Sequence, residues 1–221
     1  MAHCEGDDYW TDNTKLQRQV EFLESHKDYV ACVHNTCFLY PNGKRIIKYQ
    51  QERDTTVDFK DLLHSGGNVY HTSSLVQRKE YAVLPDRLRV KGVGDYPKAI
   101  YLGMKGKIFY FKDVMSVYRV MTPGSWTDRT LHDSEAQINT HKGIIQMLNQ
   151  VDIMTDYNYH LYITSVIRRN EISILNINQN YREINKKYKK DLSKSERIKY
   201  FIKQHFNFLF RMYKKTKSIK W

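Results

Sequence analysis

No stretch of this chain approaches the roughly 20 consecutive apolar residues that a membrane-crossing helix needs, so a helical integral membrane protein is excluded. Cysteine is scarce and odd in number: Cys4, Cys32 and Cys37 only. With no apolar signal segment at the N-terminus, that count predicts a reduced, cytoplasmic setting rather than a disulfide framework. Cys32 and Cys37 have no matching second pair, which argues against zinc. Glycine (10 residues) and proline (4 residues) are sparse, and no phosphate-cradling glycine loop is present. No Ser/His/Asp or Cys/His triad can be assembled from spacing, and no repeat recurs at a solenoid period.

What remains is a chain of 221 residues with 41% hydrophobic and 13% aromatic content, enough for one well-cored domain and an appendage. Its net charge of +12 is unevenly placed. Residues 154–221 hold 16 Lys or Arg against 5 Asp or Glu, whereas residues 1–153 hold 20 against 19. The chain therefore divides into a near-neutral part, 1–153, and a basic helical extension, 154–221. Such an extension suits nucleic acid, anionic lipid or an acidic partner, or is simply a solvated helix.

The pattern of elements is that of an α/β protein. Thr11 or Asp12 can cap a helix reaching about Ser25, with Leu16, Val20 and Leu23 on its inner face and Lys15, Arg18 and Glu21 outside. Tyr29 to Tyr40 reads as a strand. Pro41-Asn42-Gly43 turns it into a hairpin partner over Lys44 to Tyr49. Asp58 to His64 predicts a short helix closed by Gly66-Gly67, and Val69 to Gln77 a second core strand. A helix from about Tyr96 to Lys105 has Asp95 at its cap, Pro97 in its first turn and Gly106 beyond its end. Lys107 to Phe111 and Val114 to Val120 are strands, and Ser134 to Gln150 a helix. From Glu196, the spacing of Ile198, Phe201, His205, Leu209 and Met212 predicts a basic amphipathic helix.

The richest segment chemically is Cys4-Glu5-Gly6-Asp7-Asp8-Tyr9-Trp10. Adjacent carboxylates at the tip of a strand-to-loop segment can hold Mg²⁺ or Mn²⁺, hard ions that usually take one or two carboxylates plus substrate phosphates. Asp7 and Asp8 could equally be an exposed acidic turn. Asp95 could be only a helix cap, Thr72-Ser73-Ser74 only the polar side of a strand, and Trp126 a core residue. His34 and His71 read as hydrogen-bonded core residues rather than ligands.

Four blocks in order carry a resemblance. Glu5-Gly6-Asp7-Asp8-Tyr9-Trp10-Thr11-Asp12 with its following helix, Thr72-Ser73-Ser74-Leu75, Gly94-Asp95-Tyr96-Pro97, and Val114 to Val120 closing on Gly124-Ser125-Trp126 together resemble family-2 glycosyltransferases of the GT-A fold over about residues 3–150. The resemblance implies a mixed sheet flanked by helices. It also implies that Asp8, with Asp7, holds Mg²⁺ or Mn²⁺ on the diphosphate of a nucleotide-sugar. Asp95 would be the base that deprotonates an acceptor hydroxyl, with inversion at the anomeric carbon. A helix N-terminus favours negative charge there. Trp10, Trp126, Thr72 and Ser73 would contact substrate.

Against the family pattern, only Met1-Ala2-His3-Cys4 precedes the acidic loop, where a nucleotide-binding half is expected. The chain so read is the later part of a transferase of surface-polysaccharide type, impaired as a fragment, with a sheet edge and face left bare for a chain carrying the other half. Its partners would be a nucleotide-sugar donor and a glycan or lipid-linked acceptor. The basic tail would place it on the inner face of a membrane; nucleic acid is disfavoured because no recognised motif for it occurs. The alternative is a non-catalytic sugar-, membrane- or nucleic-acid-binding module.

Overall fold

A computed structural model describes residues 1–47, 52–120 and 133–217, with side chains up to residue 206. Two long parallel strands form its centre: β2 (Tyr29–Leu39) and β6 (Lys107–Arg119). Short antiparallel strands flank them. β1 (Tyr9–Trp10) and β4 (Thr55–Val57) pair with β6, whereas β3 (Arg45–Ile47) and β5 (Val76–Gln77) pair with β2. The result is an α/β architecture with a mixed, open six-stranded sheet.

β2 is rich in Val, Cys, Thr and Phe, and all but its two end residues are buried. A strand covered on both faces reads this way. Cys32 faces a small cluster with Leu23, Val76, Phe111 and Met115 beneath α1 (Lys15–Ser25). Ala31 and Val33, on the opposite face, join the main core. That core is filled by α2 (Phe59–Ser65), α3 (Asp95–Lys105), α4 (Ser134–Met154) and α5 (His160–Ile177). The bare sheet face expected from the sequence is therefore not found at β2.

The hairpin is as expected: Gly43 takes φ +80° in the turn, and Phe38 pairs with Ile46. Asp58 caps α2 by accepting from the Lys60 amide, and Gly66 ends it at φ +62°. Other expectations fail: the two strands expected at Lys107–Phe111 and Val114–Val120 are one, β6, and α1 is preceded by Thr14 as its cap residue rather than Thr11 or Asp12. Residues 69–75 are not a strand: Thr72–Ser74 form a 3₁₀ turn capped by His71, and only Val76–Gln77 join the sheet. Asp95 is the first residue of α3 and makes no capping bond to it. Finally, α1 is rotated, burying Lys15, Gln19 and Leu23 while Leu16 and Val20 lie exposed.

The rotation has a polar cause. Gln19 Nε2 donates to the carbonyls of Cys32 and Ser74, at 3.2 and 2.9 Å, and its Oε1 accepts from Lys15 Nζ at 2.8 Å. Cys32 and Ser74 are both buried, so no solvent stands ready to replace these bonds, and their loss would offset the gain from turning two more aliphatic side chains inward.

Arg78 secures the other end of α1. Its guanidinium donates to the carbonyls of Leu23, His26 and Tyr29, satisfying the end of a helix that also favours a cation. Arg78→Met should lower unfolding stability by roughly 1–3 kcal/mol. Urea titration checks this; a midpoint matching the unaltered chain would mean that water replaces the guanidinium without loss.

Beyond residue 153 the main core continues, because Ile163 and Val166 of α5 belong to it. A second, smaller cluster of Ile172, Tyr181, Ile184, Tyr188, Leu192 and Tyr200 joins α5 to α6 (Tyr181–Lys187) and α7 (Lys194–Lys217). The basic extension is thus packed onto the α/β part through α5. No helix among the described residues is long and apolar enough to cross a membrane.

Candidate functional site

The acidic loop is held against the sheet by both of its neighbours in sequence. Upstream, Ala2 bridges to Val76, and downstream β1 pairs with Ser116 and Val117 of β6. Between them the Asp8 amide closes a turn onto the Glu5 carbonyl at 3.0 Å. Arg119, at the end of β6, clamps the loop. Its guanidinium donates to the Asp7 carbonyl at 2.6 Å, and its amide donates to Asp8 Oδ1 at 3.2 Å.

The Asp8 carboxylate is fully buried, and its second oxygen, Oδ2, makes no hydrogen bond. His71 Nδ1 lies 3.5 Å from that oxygen. Glu5, Asp8 and His71 each offer one donor atom, all within 4.8 Å of one another. A buried carboxylate oxygen with nothing to accept from is costly, and here it sits beside a second carboxylate and an imidazole. That donor set fits Mg²⁺ or Mn²⁺.

The electrostatics agree. Burial, followed by the charges of Asp7 and Glu5, pushes Asp8 up from 3.8 to about 7 against the pull of Arg119. Glu5 is raised by burial and then by Asp95 and Asp7. Tyr118 is raised by burial and by the same four carboxylates. Groups drawn from three parts of the chain therefore share one excess of negative charge, with Arg119 the cation that offsets it at Asp8.

Asp95 borders this region from the start of α3. Its Oδ1 accepts from Thr72 Oγ1 at 2.8 Å, so the 3₁₀ turn and the helix meet through the two side chains that the sequence singled out. The floor is a chain of hydroxyls: Ser73 Oγ donates to Ser116 Oγ at 3.0 Å, and Thr36 Oγ1 lies 3.1 Å from the same atom. Ser73 is fully buried in that chain, so it supports the site and is not placed to touch a substrate. Trp10 is half-buried. Its indole N–H donates to the Ser73 carbonyl at 2.9 Å, and Lys15 Nζ lies 4.3 Å from its ring centre. One face of the ring is therefore already used by a cation and is closed to a sugar. Trp126 lies outside the described residues.

His34 behaves as the core residue expected. It is buried, its Nδ1 sits 2.7 Å from the Asn35 carbonyl, and burial drives it down to about 3. His71 does not. It caps the 3₁₀ turn and faces Asp8, and its ring lies 4.1 Å from that of Tyr118. Sequence reasoning read His71 as a core residue rather than a ligand, gave Tyr118 and Arg119 no role of their own, and assigned Glu5 none. The usable signal for Glu5 was its place three residues before Asp8, within reach of one turn.

Comparison with known proteins is narrow. No family model matches the chain. It is 32% identical over 136 residues to Rv1520 of Mycobacterium tuberculosis and to Mb1547 of Mycobacterium bovis, both described as uncharacterized proteins. The matched region is 58% of this chain, and the chain spans 38% of the length of those relatives.

Proposed function

We propose that this chain carries the metal-binding and acceptor-side part of a glycosyltransferase of the GT-A type, using a nucleotide-diphospho-sugar as donor. The observation that supports it most is the buried, unbonded oxygen of Asp8 set between Glu5 and His71. A structural acidic turn has no reason to bury a carboxylate oxygen without a donor; a cation site does. Asp8 would be the anchoring ligand, Glu5 and His71 its companions, and Asp7 a contributor of charge at the rim. A bound Mg²⁺ or Mn²⁺ would neutralise the charge that builds on the leaving nucleoside diphosphate.

The residues of the chain would supply the rest. Asp95, with one oxygen fixed by Thr72, would accept the proton of the acceptor hydroxyl as that oxygen attacks the anomeric carbon. Arg119 would hold the loop in register. Thr72 orients the base, a different part from the direct substrate contact that the resemblance implies.

Titration calorimetry with UDP and GDP, with and without Mn²⁺, tests this. The expected result is nucleotide binding that requires Mn²⁺, disappears in Asp8→Ala and survives in Asp95→Asn. Asp95 belongs to the acceptor side, so its loss should leave donor binding intact. A folded chain that takes up neither Mn²⁺ nor nucleotide would overturn the reading, as would loss of binding in both variants alike.

A further inference from the structure

α7 is fixed at its start by a reciprocal cap. Ser193 Oγ donates to Glu196 Oε2 at 2.7 Å, the Ser193 amide donates to the same oxygen at 2.8 Å, and the Glu196 amide donates back to Ser193 Oγ at 3.3 Å. Its inner side is equally defined. Tyr200 is buried in the small cluster, 6.3 Å ring to ring from Tyr181, and Lys203 Nζ donates to Asn176 Oδ1 at 3.0 Å. Cap and inner contacts together set the rotation of the helix.

That rotation turns an apolar stripe outward. Ile198, Phe201 and Ile202 recur at helical spacing and are 61%, 55% and 38% exposed. His205 continues the same face, its ring 4.5 Å from that of Phe201, and exposed Phe206 follows where the helical dihedrals break. A second exposed apolar group, Ile153, Tyr157, Leu161 and Tyr162, lies around the turn between α4 and α5, away from the lysine-rich residues 186–203. Residues 186–203 carry eight Lys or Arg and two Asp or Glu. Lys189 and Arg197 border the same hollow as Ile198 and Phe201.

We propose that this outward face of α7 is a docking surface for an anionic lipid bilayer, with Ile198, Phe201 and Ile202 entering the headgroup boundary and the flanking lysines and arginines pairing with lipid phosphates. The combination decides the occupant. A nucleic acid would use the cations but gain little from isoleucines projecting between them. A second copy would bring two strongly positive faces together. An interfacial helix needs both an apolar face and basic flanks, and need not be long enough to span. The inference is independent of the chemistry at Asp8 and Asp95, so either can fail without the other.

The test is co-sedimentation of the full chain with phosphatidylcholine vesicles containing roughly 30 mol % phosphatidylglycerol, against pure phosphatidylcholine. Binding should require the anionic lipid. It should weaken about tenfold or more in Ile198→Ser/Phe201→Ser and in Lys189→Glu/Arg197→Glu. These side chains are exposed, so both variants should keep the circular dichroism of the parent. No binding to the anionic vesicles would overturn the proposal. So would binding indifferent to the apolar double substitution, or preference for duplex DNA over the vesicles.

Discussion

Asp8→Asn should raise the thermal stability of the metal-free protein above about pH 7 and abolish the stabilisation that Mn²⁺ gives the unaltered chain. Both effects come from one carboxylate. In the fold, Asp8 titrates near 7 instead of 3.8, chiefly through burial, with Asp7 and Glu5 adding to the rise and Arg119 opposing it. The folded state thus favours the protonated form. Its advantage is complete below the unfolded value and is lost as pH climbs through the folded one. Above about pH 7 the ionised side chain is a burden, worth roughly 1.4 kcal/mol per unit of displacement as an upper bound.

Asparagine removes that burden, while its Oδ1 can still accept from the Arg119 amide. Cation binding works in the opposite direction, because only the carboxylate form is a ligand; at about 100 times its dissociation constant a ligand adds about 2.7 kcal/mol. Melting curves at pH 5 and pH 8, with and without Mn²⁺, separate these effects. Parent and variant should differ less at pH 5, where only part of the burden has developed, than at pH 8. At pH 8 the apo variant should melt higher, and only the parent should respond to the metal. A variant that melts lower at pH 8, beside a parent indifferent to Mn²⁺, would make Asp8 a structural residue of the loop.

The elements set by local chemistry were legible in the sequence. The β2–β3 hairpin follows from Pro41-Asn42-Gly43, α2 from Asp58 and Gly66, and α3 from Pro97 and Gly106. The amphipathic character of α7 follows from three- and four-residue spacing at Ile198, Phe201 and His205, whereas its outward turn does not, and the side chains of Leu209 and Met212 lie outside those described. The failures share a cause, which is polar satisfaction at a distance. Val69 to Gln77 has strand composition, yet His71 and Ser73 close a 3₁₀ turn and tie it to Ser116. The inner face of α1 looks aliphatic in sequence, yet two carbonyls of the sheet region select Gln19.

The candidate site divides in the same way. Asp8, Asp95 and Thr72 could be singled out because each sits in a local motif. Tyr118 and Arg119 could not, because they reach Asp8 only once β6 has paired with β1, and His71 reaches it only from the 3₁₀ turn that the sequence read as a strand. Ser73 and Trp10 were given exposed roles that the hydroxyl floor and Lys15 now occupy.

The buried Lys15–Gln19 pair offers the sharpest test of that explanation. Gln19→Leu should destabilise the protein by about 3–5 kcal/mol, because it leaves a buried ammonium without its acceptor and removes two buried hydrogen bonds to carbonyls. Lys15→Met alone should be close to neutral. Burial already pulls this amine down from 10.5 to about 8, so the folded state resists its protonation; that resistance lowers stability at pH 7, fades as pH rises from about 8, and is gone above 10.5. Methionine fills a similar volume, gives up the bond to Gln19 and the contact with Trp10, and carries no charge to desolvate. The double variant should then recover part of the loss caused by Gln19→Leu, leaving the cost of the two lost bonds to the Cys32 and Ser74 carbonyls. A cycle of urea titrations at pH 7 measures the coupling, expected at about 1–3 kcal/mol. Strict additivity would mean that Lys15 reaches water when Gln19 is removed, and that α1 owes its rotation to the Cys32 and Ser74 carbonyls alone.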